Sequence, residues 1–417
     1  MNSFFASCEQ QLRPELRGKP LGVTAGDKYY SVIVAPSIEA KKFGVKTGMR
    51  VNECRHLCPQ LVAVPARPVK YREFHIAIMG VLKTYCDDVL AKSIDEAAMN
   101  LASYRVVYKD LPALARQIKD DLRREIGEFV KCSIGIAPNT FLAKLATDMQ
   151  KPDGLVQITP DNLDECLAKL TLTDLPGIGS RNARRLELIG IKTPLQMRHT
   201  SQSLLRKAFG SIAGYYWHCR LNFAEVDFYS SGYRGMSATR TVSPDYRTPA
   251  KLEALLVSLC TKLEQRLVKA GVHCRWASFF LRYANSTSWE TKMRLGAAVQ
   301  DATELRQHIV QHIKSFEVEH RCGSLLNSGV KQMGIAISDF VPEEGLLYSL
   351  FDNRMQWDKL RKVMYNIKDQ YGKYAVRKAS ETVERSEIRD AIGFGSVKDL
   401  IQDDGHYNQF MLEEVDE

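Results

Sequence analysis

No run of about 18 apolar residues occurs in the 417-residue sequence, so no segment is suited to cross a membrane as a helix. No signal peptide opens the chain. The ten cysteines are scattered and lack the spacing of a disulfide framework, which points to a reducing cytoplasm. Cys54 and Cys58 flank His56, but no second ligand pair follows, so a zinc site is not completed. Residues 401–417 carry six acids and neither Lys nor Arg, and are expected to be solvated and mobile. What the chain does have is length, apolar content and positive charge. At 417 residues it is too long for one ordinary core, and 45% apolar residues suffice to fold two to four domains. A net charge of +9 suits a polyanionic partner without proving one.

The most informative stretch is Ser93-Ile94-Asp95-Glu96-Ala97. It follows the apolar run Val89-Leu90-Ala91 and precedes Ala98-Met99. Adjacent carboxylates at the end of a strand are costly unless positive charge neutralises them, and a divalent cation is the usual partner of such oxygens. The bland alternative is a solvated turn bearing two charges. Strict strand alternation sends Asp95 and Glu96 to opposite faces, so both reach one metal site only at a turn or bulge.

Together with Phe4-Phe5-Ala6-Ser7-Cys8-Glu9, this stretch resembles the catalytic palm of the Y-family (translesion) DNA polymerases of the bacterial polymerase IV and V type. The resemblance runs through most of the chain. It implies an α/β (α+β) multidomain right hand: palm at 1–17 and 69–156, fingers at 18–68, helical thumb at 157–228, linker at 229–235, little finger at 236–341 and tail at 342–417. It also implies an error-prone, template-directed DNA polymerase using two Mg²⁺ ions, held by Asp95, Glu96 and the Met1 carbonyl. Phe5 matches the family's steric gate, a ring that leaves no room for a ribose 2′-hydroxyl, with Phe4 beside it. The matching segment begins just after a metal-binding Asp of the family. The expectation is therefore truncation or a misassigned start, and poor extension by the 417-residue chain. A non-catalytic scaffold that binds DNA and a sliding clamp, and a helix-hairpin-helix repair module, are the rival readings.

Taken in order, residues 2–5 read as a strand and residues 6–12 as a helix. Pro36-Ser37 opens a helix ending at Phe43-Gly44. Its Glu39-Ala40-Lys41-Lys42-Phe43-Gly44 run resembles the family's fingers, with Ile38 and Lys41 where relatives usually have Tyr and Arg. Lys41 keeps the charge that meets a triphosphate but loses the bidentate fork. Phe74, Ile78, Val81, Leu82 and Tyr85 mark the apolar face of a helix over 69–88. A strand over 130–137 and a helix from Thr140 to Gln150, capped by Asn139, complete a mixed palm sheet. On that helix Lys144 matches the family's triphosphate-binding lysine, and its four-residue spacing to Asp148 also permits a simple helix-surface pair.

Leu175-Pro176-Gly177-Ile178-Gly179-Ser180 reads as a helix-hairpin-helix. Gly177 and Gly179 allow close backbone approach, and Arg181, Arg184 and Arg185 add charge for a DNA backbone. From 231 to 340 the order is β-α-β-β-α-β, two helices on a four-stranded sheet, with fifteen Lys/Arg against nine Asp/Glu. Arg240, Arg282, Arg294 and Lys331 are candidate phosphate contacts on its open face, while Gln332 and Ala336 stand where relatives are often basic. Leu346 to Asp352 resembles a sliding-clamp-binding peptide without the usual leading Gln, with Leu350 and Phe351 as the apolar anchor. Trp357, Leu360, Val363, Met364 and Ile367 recur at helical spacing, which predicts a helix docked through that face. The implied partners are primer-template DNA, deoxynucleoside triphosphates and the clamp, for a cytoplasmic monomer with no membrane attachment.

Overall fold

The computed structural model describes residues 1–26, 31–228, 234–348, 353–372, 375–376 and 378–379. They form two compact units, one ending at residue 228 and one starting at residue 234.

The first unit opens with helix α1 (Phe4–Leu12), not with a strand. Ser3 adopts a left-handed backbone (φ 47°) and turns the chain into the helix, while Ser7 Oγ donates to the Asn2 carbonyl at 2.8 Å. A strand would send Phe4 and Phe5 to opposite faces, whereas the helix buries both. A small layer follows: β1 (Leu21–Thr24), β2 (Ile33–Pro36), α2 (Ile38–Lys42), α3 (Val51–Leu57) and β3 (Val62–Pro65). Its sheet has the order β2-β1-β3, with β1 antiparallel to β2 and parallel to β3. Ser37 caps α2 by accepting from Ala40 N at 3.2 Å. Cys54 and Cys58 lie in this layer's apolar core, and burial pushes both thiols up.

Next come α4 (Pro68–Lys83), β4 (Val89–Ser93), β5 (Glu96–Met99), α5 (Leu111–Glu125), β6 (Ile134–Ile136), α6 (Thr140–Met149) and β7 (Leu155–Gln157). The expected mixed palm sheet is, among the described residues, two separate ladders: antiparallel β4–β5 and parallel β6–β7. The strand predicted over 130–137 is correspondingly only three residues long. A cavity of about 1430 Å³ runs between the ladders and the inner faces of α4 and α5, where Met79, Leu82, Leu114 and Ile118 line it. Five helices complete the unit: α7 (Leu163–Ala168), α8 (Ser180–Glu187), α9 (Pro194–His199), α10 (Gln202–Phe209) and α11 (Ala213–Leu221). Leu163, Leu186, Met197, Leu205 and Trp217 form their core, and Phe141, Leu142 and Leu145 of α6 belong to the same cluster. α6 is thereby fixed on one side by the helical bundle and on the other by β6.

The second unit contains β8 (Gly235–Thr241), α12 (Pro249–Lys269), β9 (Val272–Tyr283), β10 (Ser288–Val299), α13 (Ala302–Glu319), β11 (Val330–Pro342) and α14 (Arg354–Tyr371). All pairings in the sheet β10-β9-β11-β8 are antiparallel. Alternate residues such as Phe279, Leu281, Ile335 and Ile337 face α12 and α13, which bury Leu256, Leu263, Leu305 and Ile309 against them. This is the expected β-α-β-β-α-β order. The predicted linker 229–235 is shorter at its far end, because Gly235 already pairs with Ser338.

α14 docks through a different face from the predicted one. Arg361, Tyr365 and Lys368 are buried, while Trp357, Leu360 and Val363 are exposed. The physical reason is charge. Glu264 of α12 is fully buried and Asp301 precedes α13, and both need cationic partners. Arg361 donates to Asp301 at 3.1 Å, to Asp358 at 2.7 Å and to Gln300 at 3.1 Å. Lys378 reaches Glu264 at 2.6 Å and Asp301 at 2.8 Å, and Tyr365 OH donates to Glu264 at 3.0 Å. Burial raises the pKa of Asp358, but donors from His273, Arg361 and Tyr348 overcome it and bring the carboxyl down to about 2.

Candidate functional site

The β4–β5 hairpin turns at Ile94-Asp95, with a register shift between Ala91 and Ser93 that sets Ser93 opposite Glu96. The turn and the irregular register are what adjacent carboxylates need to serve one site. Asp95 is half-buried and Glu96 exposed. Ser93 Oγ donates to Asp95 Oδ1 at 2.7 Å and accepts from Asp95 N at 3.3 Å, so the serine orients the aspartate from both ends. His75 of α4 holds the tip from below, its Nδ1–H donating to the Ile94 carbonyl at 2.8 Å. Burial pulls the imidazole below its ordinary pKa and keeps it neutral.

Two cationic groups contact the hairpin, and a third, Lys41, feels the charge of Asp95. The Met1 ammonium donates to the Asp95 carbonyl at 2.5 Å. Lys144 of α6 reaches Glu96 Oε1 at 2.5 Å and Asp148 Oδ1 at 3.3 Å. Burial opposes its charge, but Glu96 and Asp148 hold its pKa above the usual value. Lys144 thus makes both the helix-surface pair and a contact across to the second carboxylate. Lys41 on α2 is exposed; partial desolvation and Lys151 pull its pKa down, and the charge of Asp95 opposes them. Met1, Asp95, Glu96, Lys144 and Lys151 line the same cavity. Among the described residues no cluster of three or more His, Cys, Asp or Glu is placed to hold a metal. The two carboxylates present are hard oxygen donors at a partly solvated turn, and cationic groups already sit against that turn, so charge and donor chemistry fit a divalent ion such as Mg²⁺.

Phe4 and Phe5 are buried beside this hairpin in one core. The Phe5 ring stacks on Tyr71 with centroids 4.7 Å apart and planes 16° from parallel. Tyr71 OH donates to Glu9 Oε1 at 2.7 Å. Glu9, fully buried, also accepts from Arg67 Nε at 3.0 Å and Nη2 at 2.7 Å, and from Arg13. Burial and the Glu9 charge push the Tyr71 hydroxyl well up, so it stays protonated and donates. Sequence reasoning missed Tyr71 and His75. The available signal was their spacing with Ile78 and Leu82, since 71, 75, 78 and 82 follow one another at helical intervals along one edge of the predicted apolar face.

In the helical bundle Gly177 has φ 95°, a left-handed conformation that favours glycine, and Gly179 is the N-cap of α8 with open space where a side chain would be. Arg181, Arg184 and Arg185 are exposed beside the unpaired first N–H groups of α8. On the second unit, Arg282, Lys292 and Arg294 are exposed on the sheet face away from the helices, and Lys331 is exposed where β11 shifts register against β9. Phe280 lies across Gly334 on that face, and any Cβ there would come within 2.4 Å of its ring. Arg240 corrects the expectation: it shares the alternation of Met236 and Ala238, so it sits half-buried on the helix side. Leu350 and Phe351 lie outside the described residues.

The sequence of residues 1–148 matches the impB/mucB/samB family, residues 234–350 match that family's C-terminal domain, and residues 160–191 match its HHH motif. A DNA polymerase IV of Pelotomaculum thermopropionicum is 28% identical over 400 residues, 94% of this chain and 96% of the relative. One from Bacteroides fragilis is 36% identical over 217 residues, 52% of this chain and 59% of the relative. Among solved structures, a Y-family DNA polymerase chimera superposes with a TM-score of 0.69 at 23% identity, covering 82% of this chain and 97% of its own. An insertion ternary complex of Dbh DNA polymerase gives 0.54 at 23% identity over the same shares, and both likenesses speak for the fold.

Proposed function

The chain belongs to the impB/mucB/samB family, that of the Y-family DNA polymerases, and from this premise we propose that it is an error-prone DNA polymerase that copies across damaged templates. The reaction is nucleotidyl transfer to a primer 3′-hydroxyl. The observation that supports this best is the hairpin turn that presents Asp95 and Glu96 together, with Lys144 of the neighbouring helix reaching Glu96. Asp95, Glu96 and the Met1 carbonyl would hold two Mg²⁺ ions, which supply charge neutralisation for the attacking and leaving oxygens. Ser93 keeps Asp95 oriented, and His75 keeps the turn from moving. Lys144 and Lys41 meet the triphosphate as mobile ammonium groups, and Lys144 exchanges Glu96 for phosphate oxygen when nucleotide arrives. The N–H groups at Gly177, Gly179 and Arg181 hold a DNA phosphate, and Lys331 with Arg282 and Arg294 grips the duplex through the second unit. Each polymerising site is built from a single chain, and the protein works in the cytoplasm.

Phe5 selects the sugar. Its ring is fixed from behind by Tyr71, so it cannot yield to a 2′-hydroxyl. Phe5→Ala is expected to admit ribonucleotides, read as the ratio of rCTP to dCTP incorporation opposite G. An unchanged ratio with polymerisation intact removes Phe5 from this role.

The sliding clamp is the second partner, bound through Leu350 and Phe351 in an apolar pocket. Leu350→Ala with Phe351→Ala is expected to abolish clamp binding and leave clamp-free primer extension nearly unchanged. Wild-type affinity for the clamp in the double variant would place the contact elsewhere.

A further inference from the structure

Past α11 the first unit closes with a short segment, 222–228, that side chains tie to two elements of the candidate site. Phe223 takes a left-handed backbone (φ 69°) and turns the chain. Asn139, the N-cap of α6, donates to the Arg220 and Ala224 carbonyls at 2.9 and 3.0 Å. Glu225 sets one carboxylate oxygen on Thr140, accepting from its N–H at 2.7 Å and from its hydroxyl at 2.8 Å. The other oxygen accepts from Asp227 N at 2.7 Å and Phe228 N at 2.9 Å, so the same side chain folds its own segment. The segment so folded presents its carbonyls to β4. Lys92 donates to the Asp227 carbonyl at 2.6 Å and to that of Phe228, whose buried ring centre lies 5.5 Å from the ammonium. Arg220 holds the Asp227 carboxylate through two bonds of 2.7 and 2.6 Å, which ties the segment back to α11.

We propose that segment 222–228 is a clasp that sets the spacing between the Asp95–Glu96 hairpin and the helix carrying Lys144, with Glu225 and Lys92 as positioning residues for nucleotide addition. Neither side chain contacts Asp95, Glu96 or Lys144. Lys92 acts through β4, where it immediately precedes Ser93, the residue that orients Asp95. Glu225 acts through α6, because Thr140 lies about one helical turn before Lys144, which reaches Glu96. The two residues depend on each other, since Glu225 folds the peptide groups that Lys92 holds. The bland alternative for Lys92 is a solvated charge on a hairpin strand. Its ammonium is instead desolvated enough to pull its pKa down, against the charges of Glu225 and Asp227. The chemistry needs such a device: the carboxylates sit at a turn and the cation on a long side chain, and a misplacement of about 1 Å can cost on the order of 10²-fold in rate. The inference rests on the polymerase reading for its consequence in the reaction, while the coupling of the two elements stands on the contacts alone.

Amide hydrogen exchange of the full chain tests the coupling without any reaction. Glu225→Ala is expected to speed exchange at the start of α6 and also across β4 and β5. Lys92→Met is expected to speed it across β4 and β5 and also at the start of α6, with α13 of the second unit unchanged in both. Acceleration confined to the substituted side in either folded variant overturns the clasp. Lys92→Arg keeps a cationic donor for the two carbonyls and is expected to restore most of the protection; an Arg variant as open as Lys92→Met overturns the role given to the ammonium. Glu225 is exposed, so its replacement leaves the core intact and decides the matter if Lys92→Met fails to fold. In single-turnover nucleotide addition, Glu225→Ala is expected to weaken nucleotide binding by roughly three- to tenfold. It is expected to add little in a Lys144→Met background, because it acts through that lysine. An equal loss in both backgrounds overturns the positioning role. A wild-type chain that adds no nucleotide would defeat the polymerase reading, and the exchange pattern would still judge the clasp.

Discussion

Asp95→Asn is expected to lower the rate of nucleotide addition by on the order of 10³-fold, about 4 kcal/mol of transition-state stabilisation, while leaving primer-template affinity nearly unchanged. The neutral amide keeps the size and the Ser93 contact of Asp95 but loses the charge that a metal ion requires. Because Asp95 sits at a partly solvated turn and not in the core, the substitution leaves little reason for unfolding. The measurement is single-turnover addition of one nucleotide with protein in excess over primer-template, so that slow addition is still read. Lys144→Met serves as the contrast. It removes a triphosphate contact and leaves Glu96 unpaired, so it is expected to weaken nucleotide binding more than the limiting rate. An Asp95→Asn protein with wild-type rate would take this hairpin out of the chemistry.

Arg67→Ala is expected to destabilise the first unit by about 3 kcal/mol, because it strips a fully buried carboxylate of its two-pronged partner. Arg13 and Tyr71 still contact Glu9, which places the effect at the low end of the range for broken buried pairs. That corresponds to a fall of roughly 6–12 °C in Tm for a unit of this size. The consequence extends to substrate choice. Tyr71 is held by Glu9 and in turn stacks on Phe5, so loosening Glu9 is expected to raise ribonucleotide incorporation in the surviving folded fraction. Thermal unfolding read by circular dichroism, together with the rCTP to dCTP ratio, checks both halves. A Tm within a degree or two of wild type would show that Glu9 is satisfied without Arg67.

Much of this architecture was legible in the residues. The strands of the second unit announce themselves by alternation: Phe279 and Leu281 inward, Phe280 and Arg282 outward. Asn139 caps its helix where its side chain predicted it, and a helix opens after Pro36-Ser37 as expected. The failures share one cause, which is that local pattern carries no information on distant charge. The face of α14 that docks is chosen by Glu264 and Asp301, some 60 to 100 residues upstream, and apolar periodicity selects the neighbouring face. Arg240 followed the same logic in reverse, since its charge suggested an open surface but strand parity directs it toward the helices. At the site, the resemblance assigned Asp95, Glu96 and Lys144 to one reaction, and the direct contact of Lys144 with Glu96 was not readable, because the two lie 48 residues apart. The His75 and Tyr71 contacts that hold the hairpin tip and Phe5 appear only once α4 is laid against α1 and β4.

The most direct test of the central claim is single-nucleotide addition by this protein on four primer-templates that differ only in the templating base. The account predicts that the complementary nucleotide is added preferentially on each template, that addition requires Mg²⁺ and stops on chelation, and that it is lost in Asp95→Asn. Tight binding of all four primer-templates with no addition to any of them, at any Mg²⁺ concentration, would contradict it.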